Sequence, residues 1–134
     1  MPQLIEHIDA IARKKQRDVL YLEFRDADGN PVDHHALPLR SQIIEWLDRE
    51  GIGWQPCGGI ASEHRIRAYT GQVYIDVPFA PADPGYQKVQ AYLEHPDGSM
   101  RFREATFLVL PLEAALCNAH HDEPGFWERW AERF

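Results

Sequence analysis

From Val19 to Leu110 the hydrophobic pattern reads strand, helix, strand, strand, helix, strand, and no other feature limits the fold so tightly. Such an order predicts one antiparallel sheet with helices packed across it, a compact two-layer α+β domain. The length of 134 residues suits one domain, since domains of roughly 100–150 residues are the commonest. Hydrophobic residues at 44% and charged residues at 26% give the ordinary globular balance, so the core is expected to stand without a partner.

Element by element, Leu4, Ile8 and Ile11 recur at helical spacing and predict an amphipathic helix over 3–17. Arg13, Lys14, Lys15 and Arg17 fall in its last turn, where cations interact favourably with the negative end of the helix dipole. Val19 to Arg25 alternates, with Leu20, Leu22 and Phe24 on one face and Tyr21, Glu23 and Arg25 on the other, as in a half-buried strand. Pro38 opens a second helix with Leu39, Ile43, Trp46 and Leu47 on one side, and Gly51 closes it. Ile52 to Ile60 supplies a short strand, and Arg65–Thr70 and Gln72–Phe79 flank Gly71 as a hairpin.

Asp83-Pro84 reads as a cap and first turn for a helix that ends at Pro96-Asp97-Gly98. The run Tyr92-Leu93-Glu94 before Asp97-Gly98 echoes Tyr21-Leu22-Glu23 before Asp28-Gly29, which admits Val89–Glu94 as a strand instead. The last strand, Met100–Leu110, changes parity between Phe102 and Phe107, predicting a bulge or break near Glu104. Pro111 starts a helix through Cys117. After Pro124-Gly125, the segment 124–134 forms an aromatic helix whose Phe126, Trp127, Trp130 and Phe134 must pack on the domain or on a partner.

Twenty-one acidic against 14 basic residues give a net charge of -7, which repels phosphate backbones and anionic lipid. Cys57 and Cys117 are too few for a disulfide framework and read as two buried thiols of a reducing compartment. The N-terminal segment lacks the apolar run and cleavage site of a secretory signal, and no stretch is apolar enough to span a bilayer. A cytoplasmic protein is the expectation.

Seven histidines invite a metal hypothesis, because Asp33-His34-His35 and His120-His121-Asp122-Glu123 set imidazoles beside carboxylates. Neighbouring side chains diverge, so a site needs one histidine from each pair, and no HExxH or CxxC spacing is present. Asp26-Ala27-Asp28-Gly29-Asn30 begins like a calcium loop, but its glycine comes early and Leu37 stands where a closing carboxylate belongs, so a turn is expected. Ser62-Glu63-His64 with Cys57 upstream places a nucleophile near a base, without a nucleophile elbow. Arg65, Arg67, Tyr69, Tyr74 and Tyr21 would share an open sheet face of the type that stacks RNA bases, yet the matching RNP-type sequence is missing. A face covered by terminal helices or a second copy fits the acidic chain better.

These elements predict a ferredoxin-like β-α-β-β-α-β sandwich with extra helices at both ends, or, with Val89–Glu94 as a strand, a longer antiparallel meander. The function expected is that of a small acidic binding or regulatory module without catalysis or cofactor, contacting a protein, a second copy or a small ligand, and neither nucleic acid nor membrane. A small enzyme with a pocket near Trp54, Cys57, Gly58 and His64 is the alternative, as is metal binding at His34, His35, His120 and His121. An acidic inhibitor of a basic enzyme is a third possibility.

Overall fold

Alternation along Val19–Phe24 makes a strand, β1, that lies second from one edge of a four-stranded antiparallel sheet. The computed structural model describes residues 5–25, 37–62 and 69–132. On one side β1 pairs with β3 (Val73–Ile75), Leu20 opposite Ile75 and Leu22 opposite Val73. On the other it pairs along its full length with β4 (Ala105–Leu110). β2 (Trp54–Pro56) joins the outer side of β3, completing the order β2-β3-β1-β4. Pro56 cannot donate to a ladder, and an edge strand is where that costs least.

One helix precedes β1, α1 (Ile8–Lys15), and it is shorter than the predicted 3–17. Its C-cap, Gln16, takes the left-handed conformation at φ 55° and ends it. α2 (Pro38–Arg49) lies between β1 and β2, and the chain leaves it through Gly51 at φ 70°. α3 (Pro84–Leu93) lies between β3 and β4, capped by the Asp83 carboxylate accepting the Tyr86 N–H at 2.9 Å. Residues 84–93 are therefore helical, and Glu94 meets Met100 only in a single bridge around Pro96-Asp97-Gly98, which removes the meander. After β4 come α4 (Leu112–Leu116), a 3-10 turn (Ala119–Asp122) and α5 (Phe126–Ala131).

The first core fills the sheet face that carries Leu20, Leu22, Phe24, Val73 and Ile75, under Ile43 and Leu47 of α2 and Val89 and Leu93 of α3. The opposite face is not open. Val19, Tyr21, Tyr74 and Leu110 form a second core with Ile8 and Ile11 of α1 and Ala115 of α4. Helices thus cover both faces, and the two-layer expectation is corrected to a sheet between two helical layers. The reason lies in strand parity: Val19, Tyr21, Tyr74 and Leu110 put large, mostly apolar side chains on the second face as well, so both faces need cover.

Two strand predictions are also revised. The long strand Met100–Leu110 begins only at Ala105, because the chain turns at Arg103 and Glu104. That turn lets Met100, Phe102 and Phe107 pack against the same core despite their opposite parity. β3 pairs with β2 and β1; of the expected hairpin strand Arg65–Thr70, Tyr69 and Thr70 lie outside any strand, and residues 65–68 fall outside the described residues. Cys117 is exposed rather than buried. No helix among the described residues is long and apolar enough to cross a membrane.

Candidate functional site

The second face of β1 runs from Tyr21, buried under α1, to Glu23, which is half-buried at the end of the helical cover. There a cleft of about 390 Å³ opens, its floor formed by Tyr21, Glu23 and Gln72. Ile5 and His7, just before α1, make one wall, and Gly58, Gly59, Ile60 and Ser62, after β2, make another. Tyr69 closes the side toward β3. This volume falls in the range of about 300–1,000 Å³ typical of small-molecule sites.

Backbone bonds fix these walls. The segment before α1 meets the loop after β2 in a short parallel bridge, with Ile8 N–H donating to Gly58 O at 3.0 Å and Gly58 N–H to Glu6 O at 2.8 Å. A side chain on Gly58 would place its Cβ 3.3 Å from His7 Nδ1, so glycine permits the close approach. His7 Nδ1 donates to Gly59 O at 3.1 Å, a bond that fixes its tautomer because a carbonyl only accepts. Behind the loop, Asp9 accepts the Ala61 N–H at 2.9 Å and, through Oδ2, Arg13 Nη1 at 2.9 Å and Asn118 Nδ2 at 2.8 Å. Arg13 donates onward to Ala115 O and, through Nη2, to Asp122, so one buried network holds α1, the loop and the C-terminal helices together. Burial opposes the Asp9 charge, but the bonds from Ala61, Asn118 and Arg13 outweigh it and hold the carboxyl below its ordinary value.

Tyr69 is held from the far side of the sheet edge. Arg40 of α2 donates through Nη2 to the Tyr69 hydroxyl at 2.8 Å and through Nε to Gly71 O at 2.8 Å. The Tyr69 hydroxyl in turn donates to Gln72 O at 3.0 Å. Gly71, at φ 92°, supplies the turn that this arrangement needs.

Glu23 contrasts with the paired carboxylates elsewhere. Among the described residues no cation lies within ion-pair distance of it and no donor bonds it, whereas Lys14 is bound to Glu6, and Lys15 and Arg17 to Asp76. The basic run at the end of α1 is thus engaged in ion pairs. The Glu23 charge is felt by its neighbours: burial and then Glu23 raise the Tyr21 hydroxyl and the Cys57 thiol each to about 12. Fully buried, with its pKa so raised, Cys57 is a packed thiol and a poor nucleophile.

Of the residues singled out in the sequence, Tyr69 lines the cleft, Ser62 and Gly58 line its loop wall, and Cys57 lies behind it in the second core. Trp54 does not converge with them: it packs against the first core and donates to Asp48 Oδ1 at 2.8 Å. His64, Arg65, Arg67, His34, His35, Phe134 and the Asp26–Asn30 turn lie outside the described residues. The RNA-type surface is not available at Tyr21 and Tyr74, which are 8% and 2% exposed under α1 and α4.

In the C-terminal segment Trp127 stacks on both His7 and His121, at ring separations of 5.7 and 5.3 Å, and meets Phe126 and Trp130 edge-on. His121 is buried, its Nδ1 donating to Asn118 O at 3.0 Å. The His120 ring lies 3.9 Å from that of His121. No group of three or more metal-type side chains occurs among the described residues.

Sequence reading passed over Ile5, His7, Glu23, Gln72 and Ile60 as site residues. One signal was present: Glu23 is the only charged residue in VLYLEF, and once both faces are known to be covered it is the odd member of its face. Compared with family models, curated proteins and solved structures, the chain matches none of them.

Proposed function

We propose that this protein is a binding module without catalytic activity and that the cleft before Glu23 is where it takes a small polar ligand. The observation that carries this reading is the cleft's construction. Separate chain segments meet there through the bridge at Gly58, the Asp9 network and the Arg40 bonds, so the walls are formed before any ligand arrives. Two tyrosines, a glutamine and a glutamate line it, while the nearest thiol is buried and held in its neutral form with a pKa raised to about 12. A ferredoxin-like sheet is the framework we propose for it, supported by the antiparallel order β2-β3-β1-β4 with a helix between β1 and β2 and another between β3 and β4. A cytoplasmic setting accords with two free cysteines.

Two-dimensional NMR of the full chain with a library of small polar compounds tests the reading. Saturable shifts at Gly58, Gly59, Ser62 and Tyr69 are expected. A library that leaves these amides unmoved, or moves only residues on α2 and α3, would refute it.

Self-association is a second reading, favoured by β4. It is six residues long, it forms one edge of the sheet, and nothing pairs with its outer side among the described residues. A second copy would continue the sheet there. Light scattering of the full chain at increasing concentration decides it: a monomer throughout removes this reading.

A further inference from the structure

We propose that the ligand of the cleft is an organic ammonium ion, a primary amine on a short apolar chain, with Glu23 as its counter-ion. This rests on the reading of the cleft as a binding site and goes beyond it by naming the ligand's chemistry. Glu23 is half-buried at the end of a covered sheet face, where a carboxylate gains from a cationic partner more than one fully in water does. Elsewhere in the chain the carboxylates of Asp9, Asp76 and Asp122 have cationic partners, but Glu23 has none among the described residues and faces the cleft. An ammonium group entering there supplies the missing charge and up to three donors.

The surroundings select further. Tyr21 and Tyr69 bring aromatic rings to the same cleft, and ring faces attract cations and not anions. At the mouth, Ile5 and Ile60 are 37% and 56% exposed, an apolar rim for a hydrocarbon chain behind the charged head. A phosphate or carboxylate ligand would meet the Glu23 charge and the net -7 of the chain. The same ammonium chemistry belongs to a free alkylamine and to the lysine side chain of a peptide, and the volume of about 390 Å³ admits either.

Calorimetric titration with n-pentylammonium, 1-pentanol and pentanoate, followed by a lysine-containing peptide and its norleucine counterpart, tests this. We expect pentylammonium to bind and the alcohol and carboxylate not to. Glu23→Gln should weaken binding about ten- to a hundredfold, as for loss of a charged hydrogen bond. Ile60→Lys, a substitution at an exposed rim position that does not threaten the core, should weaken it as well by placing a competing cation at the mouth. A peptide that binds more tightly than pentylammonium, and only with lysine, identifies a protein side chain as the source; the reverse order identifies a free amine. Binding of pentanol or pentanoate at the cleft in preference to the amine overturns the ammonium assignment but leaves the binding reading intact. Unchanged amine affinity in both variants also overturns the assignment. Failure of every probe, together with an unresponsive NMR library, overturns both.

Discussion

Asp9 and Arg13, one turn apart on α1, form an ion pair of 2.9 Å that is buried on both sides, and the two groups contact the chain more than a hundred residues later at Asn118, Ala115 and Asp122. A pair at this spacing on a helix surface contributes only a few tenths of a kcal/mol. Buried and fully hydrogen-bonded, it instead fixes how α1, the loop at Ala61 and the C-terminal helices sit on the second sheet face.

Removing one partner should therefore be severe. Asp9→Ala leaves Arg13 paired with Asp122 but strands the Ala61 N–H and one Asn118 bond, and we expect a loss of about 2–3 kcal/mol, or a melting temperature lower by roughly 10 °C. Urea denaturation of variant and wild type measures it. A loss below about 1 kcal/mol would mean that the network is not a structural anchor.

The same carboxyl sets an acid limit. Its folded pKa lies below the ordinary carboxyl value of 3.8, so as the pH falls the unfolded chain takes up the proton first. The stabilisation is complete above 3.8 and is lost as the pH drops through the folded value, and the lowered Asp76 carboxyl acts in the same direction. We expect stability to vary little on Asp9's account between about pH 5 and 7 and to decline below about pH 4. Asp9→Asn should flatten that decline; an equally steep acid transition in the variant would place its cause elsewhere.

The two thiols should differ sharply. Cys57 is fully buried with its pKa raised to about 12, while Cys117 is exposed. Iodoacetamide at pH 8 should modify Cys117 alone in the native protein and both after unfolding, as read by mass spectrometry. Native labelling of Cys57 at a rate similar to Cys117 would contradict the covered second face.

Trp127 links the C-terminal segment to the cleft wall through His7. Trp127→Ala removes its stacks on His7 and His121 and should cost about 1–2 kcal/mol. Because His7 also bonds Gly59, the amide resonances of Gly58 and Gly59 should move with it. Unmoved loop resonances would show that the aromatic segment and the cleft are independent.

Much of the architecture could be read in advance because local chemistry specified it. Pro38 and Gly51 bracket α2, Asp83 and Pro84 open α3, and the alternation of Val19–Phe24 sorts Leu20 and Leu22 from Tyr21. The parity change before Phe107 announced the turn at Glu104. That terminal helices cover the second face was among the expectations and is what α1 and α4 do, but which of their residues make the contact was not legible, since a strand pattern states which residues need burial and not what buries them. The Arg13 network and the cleft were hidden for the same reason. Glu23, Gly58, Tyr69 and His7 come together only through strand register and a bridge between segments some fifty residues apart, and no local spacing encodes that.

The most direct measurement is a crystal structure of the full chain grown with n-pentylammonium. We expect the ammonium nitrogen at about 3 Å from the Glu23 carboxylate, beside Tyr21 and Tyr69, with the alkyl chain leaving between Ile5 and Ile60. Density for the amine elsewhere, or a cleft in which Glu23 is paired with the chain's own cation, would contradict the assignment.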